Sequence, residues 1–259
     1  GGKTKFVCVD GPEFDAHEVD FDGMLKRLGR YKTDEMAAYE AYLHGDRSQT
    51  VELVKEGKEQ SLIELCEVAP FEGKAKDRVA IPRVKMNELA PEVRIQSLYE
   101  EVNQGLTFSQ AVTEAHRCLN CKNPTCVAGC PVNINIPGFI KQLEIGNVVG
   151  AAEIIGESST LPAVCGRVCP QEKQCESQCI HVKMGHEPVA IGYLERFVAD
   201  NGVKSPIKPA EIVDKARKIA VVGSGPAGLA FAGDMAKYGY DVTVFEALHE
   251  IGGVLKYGI

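Results

Sequence analysis

Apolar positions recur at helical spacing through the middle of the chain and at strand spacing towards its two ends. Lys3-Thr4-Lys5-Phe6-Val7-Cys8-Val9 alternates as a strand does, and Asp10-Gly11-Pro12 closes it with turn chemistry. Residues 20–44 carry Phe21, Met24, Leu25 and Leu28 one helical turn apart, and Tyr31, Tyr39, Tyr42 and Leu43 extend the stripe. A further helix is expected around residues 51–66, with Cys66 as a small core residue. Residues 87–105 contain Pro91, Val93, Ile95, Leu98 and Val102 and read as one helix ending at a glycine. Thr107-x-x-Gln110 is a capping box in front of Ala111, Val112 and Ala115. Pro137 sits in the first turn of the next helix, where its missing N–H costs nothing. Phe139, Ile140 and Leu143 form the buried face of that helix, and Gly146 ends it. Asn147 caps a helix through Ala151, Ala152, Ile154 and Ile155.

Behind Glu187-Pro188 a helix over residues 189–199 places Ile191, Leu194, Glu195 and Val198 at i, i+3, i+4 and i+7. A carboxylate is thus set on an apolar face, where it is expensive to desolvate without a partner. An ion pair with an arginine such as Arg167 would be one answer; Arg196, next in sequence, points elsewhere on a helix. Gly202, Pro206 and Pro209 mark a domain boundary. The strand Ile219-Ala220-Val221-Val222, a helix over residues 229–238 and the strand Asp241-Val242-Thr243-Val244-Phe245-Glu246 follow.

Cysteine changes this picture most. Eight of the ten cysteines fall in two runs: Cys118-x2-Cys121-x4-Cys126-x3-Cys130-Pro131, and Cys165-x3-Cys169-Pro170 continuing to Cys175 and Cys179. Tight thiolate spacing lets a short loop wrap a metal centre, and soft sulfur selects zinc, copper(I) or iron–sulfur clusters. The first run resembles the bacterial ferredoxin pattern, in which the Cys-Pro cysteine serves a different cluster from the other three. Two interleaved 4Fe–4S clusters are the expectation. Structural zinc is the alternative, although only Cys118/Cys121 shows knuckle spacing. Disulfides rank last, since nothing else in the chain looks secreted.

Gly223-Ser224-Gly225-Pro226-Ala227-Gly228 lies between a strand and a helix, with Glu246 at the end of the next strand, which completes a dinucleotide fingerprint in its context. The glycines permit the tight turn and the approach of pyrophosphate, the helix N-terminus offers N–H groups, and Glu246 can accept ribose hydroxyls. Gly253, in the closing run Ile251-Gly252-Gly253-Val254-Leu255-Lys256-Tyr257-Gly258-Ile259, is a further candidate for this site. One βαβ unit does not complete such a domain, and the chain opens on Gly1 instead of Met, so a piece of a longer protein is expected.

Net charge is −7, with a pI of about 5.5 and 44% hydrophobic residues. The acidic balance argues against nucleic acid. No run of 18 apolar residues and no basic-then-apolar start is present, so neither a membrane span nor a signal peptide is expected. Clustered reduced cysteines fit the cytoplasm.

Two cysteine runs, a proline-bounded linker and Val221-Val222-Gly223-Ser224-Gly225-Pro226-Ala227-Gly228 resemble the small subunit of glutamate synthase, over about residues 80–259. The large subunit of NADH-dependent ferredoxin:NADP oxidoreductase and the N-terminus of dihydropyrimidine dehydrogenase share the pattern. Cys8-Val9-Asp10-Gly11-Pro12-Glu13-Phe14-Asp15 resembles the tail of a ferredoxin-reductase-like subunit, such as the electron-transfer subunit of dihydroorotate dehydrogenase. There the matching cysteine ends a 2Fe–2S ligand set whose other members lie upstream, so Cys8 is an orphan here. The resemblance implies a natural fusion: residues 1–33 a reductase-like tail, 34–85 a partly helical linker, 86–203 a helical domain with two 4Fe–4S clusters, and 204–259 the start of a Rossmann-like FAD domain. The fold class is therefore mainly α followed by the start of an α/β unit. FAD would occupy the glycine loop, at a site incomplete here, and NAD(P)H a domain further downstream. The fragment alone would be inactive.

Electrons would pass from NAD(P)H through FAD and the clusters to a partner: a glutamate-synthase-large-subunit-like protein, or a ferredoxin-reductase-like one with ferredoxin. The Cys8–Asp15 stretch favours the second. The resemblance further implies that Cys118, Cys121, Cys126 and Cys179 hold one cluster. Cys130, Cys169 and Cys175 hold three corners of the other, with Cys165 a nearby non-ligand. Glu195 lies where the family has a non-cysteine ligand, a glutamine in dihydropyrimidine dehydrogenase, and would complete that second set. A zinc-stabilised or cofactor-less helical interaction module is the competing class; iron content and colour separate it.

Overall fold

Asn135 and Asn147 each start a helix by accepting a hydrogen bond from the residue three positions on, Gly138 N at 3.1 Å and Gly150 N at 2.9 Å. Such caps contribute about 1 kcal/mol each, and the two helices they open contribute to the core of the described residues. A computed structural model describes residues 68–96, 100–202 and 218–258. The strand expected at 3–9, the helices expected within 20–66, and Cys8 and Cys66 lie outside the described residues.

In chain order the elements are α1 (Ala75–Ala80), β1 (Asn87–Glu88), α2 (Pro91–Arg94), β2 (Asn103–Gly105), α3 (Phe108–Ala115), α4 (Thr125–Ala128), α5 (Ile136–Glu144) and α6 (Val148–Gly156). They continue as α7 (Pro162–Val168), two 3-10 turns (Gln171–Lys173 and Glu176–Gln178), α8 (Ile180–Lys183), α9 (Ile191–Asn201), β3 (Lys218–Val222), α10 (Pro226–Lys237), β4 (Asp241–Phe245) and α11 (Val254–Tyr257). The described part is thus mainly helical, with a short α/β unit at its end.

The core is built on α5, α6 and α9. Phe139, Ile140, Leu143, Ala151, Ile155, Leu194 and Val198 are all buried, as the helical spacing predicts. Each large apolar side chain so buried stabilises the fold by about 1.5–3 kcal/mol. Thr107 caps α3 through the reciprocal box with Gln110. Gly146 ends α5 with φ +78°, a left-handed turn that glycine adopts without strain. The two helices between the cysteine runs do fold one run back on the other. α9 packs on α6 and most extensively on α7, which carries Cys165 and leads into Cys169.

The single helix expected over residues 87–105 is not formed. Among the described residues of that stretch, α2 is one turn long, and β1 pairs antiparallel with β2 on either side of it. The apolar spacing finds no core to face: Ile95 is 82% exposed and Val93 47%. Competing bonds hold the flanks extended. The Asn87 amide donates to Gly105 O (3.1 Å), and Arg196 Nη2 donates to Asn103 O (2.7 Å). The helix expected at 189–199 runs two residues later, because Glu114 Oε1 takes the Ala190 N–H at 2.7 Å.

β3 and β4 pair in parallel, with Lys218 opposite Asp241 and Val222 opposite Phe245. α10 begins at Pro226, three residues before the expected start, so the second half of the glycine motif forms the helix's first turn. Among the described residues no helix is long and apolar enough to cross a membrane.

Candidate metal centres and dinucleotide loop

Cys118 is delivered by the turn that follows α3, its N–H bonded to Ala115 O at 3.0 Å. Asn120, at φ +48°, then reverses the chain towards Cys121; asparagine tolerates this conformation better than most residues. Cys126 lies on α4, and Cys179 caps α8 from the second run. These four cysteines line one pocket, together with Ile136, Ile140, Val189 and Ile191. The thiols stand in an apolar wall. Burial pushes Cys118 up to about 11 and Cys126 to about 12, and it also raises Cys121. A site that keeps its thiols protonated needs a cationic group before they become thiolates, which is what metal binding supplies. His181 forms another part of the wall, fully buried. Its Nε2–H donates to Arg117 O at 3.0 Å, and its Nδ1 has no partner.

The second group gathers on α7, the 3-10 turns and α9. Cys169 lies within electrostatic reach of Glu195 and Cys175, and Cys175 within reach of Cys130 and Glu195. Cys165 and Cys169 share a hydrogen bond that favours the thiolate on Cys165 and keeps the proton on Cys169. Cys175 is pushed up to about 12 by burial and the neighbouring Glu176. Glu195 is 6% exposed, and its Oε1 has no hydrogen-bond partner. Burial, with Cys165 adding, drives its carboxyl up to about 8. The alternative of an ion pair with Arg167 is overturned, since Arg167 binds Glu101 Oε1 and Asp200 Oδ2, both at 2.8 Å. Arg196 also turns to Glu101 and Asp200.

Close packing brings these elements together. A Cβ on Gly129 would stand 2.9 Å from Gln174 O, which lets Cys130 approach the turn before Cys175. A Cβ on Gly166 would stand 2.6 Å from Arg196 N. Gly166→Ala is therefore expected to push α7 off α9, to cost about 1–3 kcal/mol, and to separate Cys165 and Cys169 from Glu195. A thermal melt checks this, with a lower melting temperature expected. Among the described residues, no three or more His, Cys, Asp or Glu side chains meet closely enough to hold a single metal ion.

Sequence reasoning missed the buried charges that hold both groups. Glu114 is fully buried and accepts from Val84 N, Ala190 N and Arg117 Nη1, each at 2.7 Å. Arg117, 2% exposed, also donates to Ile81 O, Pro188 O and Glu187 O. A signal was present: Glu114 shares the inward face of α3 with Ala111, Val112 and Ala115, and Arg117 follows three residues later in the turn after the helix. Arg78 binds both oxygens of Glu144, and Arg83 binds Glu176 at 2.8 Å. The bidentate Arg78, with Lys141, leaves Glu144 below its ordinary range despite burial, whereas burial outweighs Arg83 at Glu176 and raises it.

The glycine loop has the form its sequence implies. Gly223 has φ +94°, and a Cβ on Gly228 would meet Gly223 O at 2.1 Å. A Cβ on Gly225 would meet nothing within 4 Å. The first glycine thus makes the turn, the third lets helix approach loop, and the second leaves an open face at the N-terminus of the twelve-residue α10. That cradle fits a pyrophosphate, with Pro226 and Ala227 in the first helical turn. Glu246 accepts from Ser224 N at 2.8 Å, from the Ser224 hydroxyl, and from Leu248 N at 2.9 Å. The Ser224 hydroxyl comes first, ahead of the Leu248 and Ser224 backbone N–H groups, in holding its carboxyl down to about 2. Ser224 Oγ in turn accepts from Gly252 N at 3.0 Å. Gly253, at φ +55°, packs beside Gly225.

Two regions of the chain resemble known proteins. Residues 94–207 match the family described as dihydropyrimidine dehydrogenase domain II, 4Fe–4S cluster, and residues 221–257 match the NAD(P)-binding Rossmann-like domain. The glutamate synthase [NADPH] small chain of Escherichia coli is 38% identical over 170 residues, 64% of this chain and 35% of its own length. That of Azospirillum brasilense is 32% identical over 179 residues, 68% of this chain and 37% of its own. The NAD-dependent dihydropyrimidine dehydrogenase subunit PreT of Escherichia coli is 38% identical over 165 residues, 63% of this chain and 40% of its own. The chain thus spans between about a third and two-fifths of the length of these relatives. Over the stretch they share, the chain is similar to glutamate synthase small chains and related oxidoreductases, with a helical region that matches a 4Fe–4S domain followed by a stretch that matches a Rossmann-like domain.

Proposed function

We propose that this chain is the electron-transfer segment of an NAD(P)H-dependent iron–sulfur flavoprotein oxidoreductase. One 4Fe–4S cluster is held by Cys118, Cys121, Cys126 and Cys179, the other by Cys130, Cys169, Cys175 and Glu195. The observation that carries this reading is the exchange between the runs. Cys179 lines the pocket of Cys118, Cys121 and Cys126, while Cys130 lies within electrostatic reach of Cys175. The orphaned, buried oxygen of Glu195 supports it as the fourth donor of the second set. An oxygen donor is harder than thiolate, so the two clusters would differ in potential.

FAD is assigned to the loop of Gly223, Ser224, Gly225, Pro226, Ala227 and Gly228, with Glu246 facing its ribose and Gly253 beside it. When bound, FAD would supply hydride acceptance from a nicotinamide and release of single electrons; the residues here would bind, orient and insulate the carriers. The domain division is 1–33, 34–85, 86–203 and 204–259. The electrons leave to a redox partner subunit in the cytoplasm. The names of the relatives, a small chain and a subunit, support a partner of that kind.

Anaerobic reconstitution tests the reading. About eight irons per chain are expected for two four-iron clusters, with broad brown absorbance. Two zincs and no iron would overturn it. In Glu195→Ala the spectrum and potential of one cluster should change while the other stays as it was. Unchanged spectra and potentials for both would make Glu195 a structural residue.

A further inference from the structure

The residues just upstream of the cysteine domain do more than connect. Arg78 Nη1 donates to His116 O (2.9 Å) and to Cys118 O (3.2 Å), the carbonyl of a cysteine in the first group. Both its terminal nitrogens bind Glu144, and Nη2 also reaches Phe71 O at 3.3 Å. The guanidinium lies 4.9 Å over the Phe71 ring, which itself stacks on His116. Five residues on, Arg83 Nη2 binds Glu176 Oε2 at 2.8 Å, and Nη1 donates to Pro188 O at 2.9 Å. Glu176 follows Cys175 directly, and its other oxygen accepts from Gly192 N at 3.3 Å. The backbone between the arginines is stitched down by Arg117 on Ile81 O and by Glu114 on Val84 N. The arginine side chains are 13% and 17% exposed, and their glutamates 3% and 6%.

We propose that residues 71–84 form a strap that positions and electrostatically tunes both cysteine sites, Arg78 serving the first and Arg83 the second. This rests on the two-cluster reading above. Beside each site stands an arginine–glutamate pair held largely out of water, where a unit charge acts more strongly than at the surface; the more exposed Lys141 also pairs with Glu144. The Glu144 charge bears on Cys118, and that of Glu176 on Cys175. Reduction adds negative charge to a cluster. Removing the arginine therefore disfavours reduction at its own site, and removing the glutamate favours it.

A redox titration of the anaerobically reconstituted full chain, followed by electron paramagnetic resonance with the two clusters resolved, tests the strap. Arg78→Gln should lower the midpoint potential of the first cluster and leave the second in place; Arg83→Gln should do the reverse. Glu144→Gln and Glu176→Gln should raise the potential of the first and second cluster respectively. Arg83→Lys, which keeps the charge, should bring the second cluster back towards its original potential. A purely structural anchor would not give shifts of opposite sign from the two partners of one ion pair. If the clusters form and no potential moves, or both clusters shift together in every variant, the strap is overturned. If an arginine variant does not fold, the glutamate variants and Arg→Lys carry the same test. Absence of iron from the reconstituted wild type would instead overturn the cluster reading beneath it.

Discussion

Glu114→Ala is expected to leave the protein unfolded, or folded only well below physiological temperature. Glu114 is the fully buried acceptor for the backbone N–H groups of Val84 and Ala190 and for the guanidinium of Arg117. Removing it leaves a buried arginine without its counter-charge, at about 3–5 kcal/mol. Two buried amides also lose an acceptor, at about 1–3 kcal/mol each. A domain of this size has about 5–15 kcal/mol in hand. Circular dichroism melts of the apoprotein check this independently of any cofactor. Glu114→Gln keeps an amide oxygen for the backbone donors but not the charge, and is expected to fall between. If Glu114→Ala melted within a few degrees of the wild type, water would have to reach Arg117 in a way this structure does not provide.

Gly228→Ala is expected to weaken dinucleotide binding by about tenfold or more. The added methyl would stand 2.1 Å from Gly223 O, a backbone atom that cannot swing aside as a side chain can. α10 would have to move away from the loop, at about 1–3 kcal/mol or more, and the phosphate cradle would open. Each 1.4 kcal/mol is about tenfold in affinity, so a loss of at least tenfold for FAD, read by titration calorimetry, is the expected outcome. Gly225→Ala separates fold from binding. Its methyl meets nothing within 4 Å of the protein, so the melting temperature should hold while the methyl occupies the face that a pyrophosphate needs. Equal binding by both variants and the wild type would remove the loop from the site.

The same contrast appears in what the chain shows before it is folded. Local chemistry was legible. Thr107 with Gln110, Asn147 and Pro137 act within one helical turn of their own positions, and the structure uses them as the spacing predicts. The cysteine spacing and the glycine motif were legible for the same reason, since a thiolate loop or a phosphate turn is made by neighbours in sequence. The helix expected over residues 87–105 failed because its apolar spacing is satisfied only if a core faces it. Among the described residues Val93 and Ile95 stay exposed, and bonds from Asn87 and Arg196 take the backbone instead.

Only the tertiary structure decided which distant groups meet. Cys179 stands with Cys118, Cys121 and Cys126 because α5 and α6 carry the chain back, and no local spacing encodes that return. Arg78 and Arg83 look like ordinary surface charges in sequence; their glutamate partners lie 66 and 93 residues away. Glu246 was legible as the acid that ends the second strand. That its carboxylate is held by Ser224, 22 residues earlier, follows from the parallel register of β3 and β4. Short-range bonds can be read from the sequence because the chain itself sets their geometry. Buried ion pairs and shared pockets cannot, because they form only where packing has removed water and brought both partners to one place.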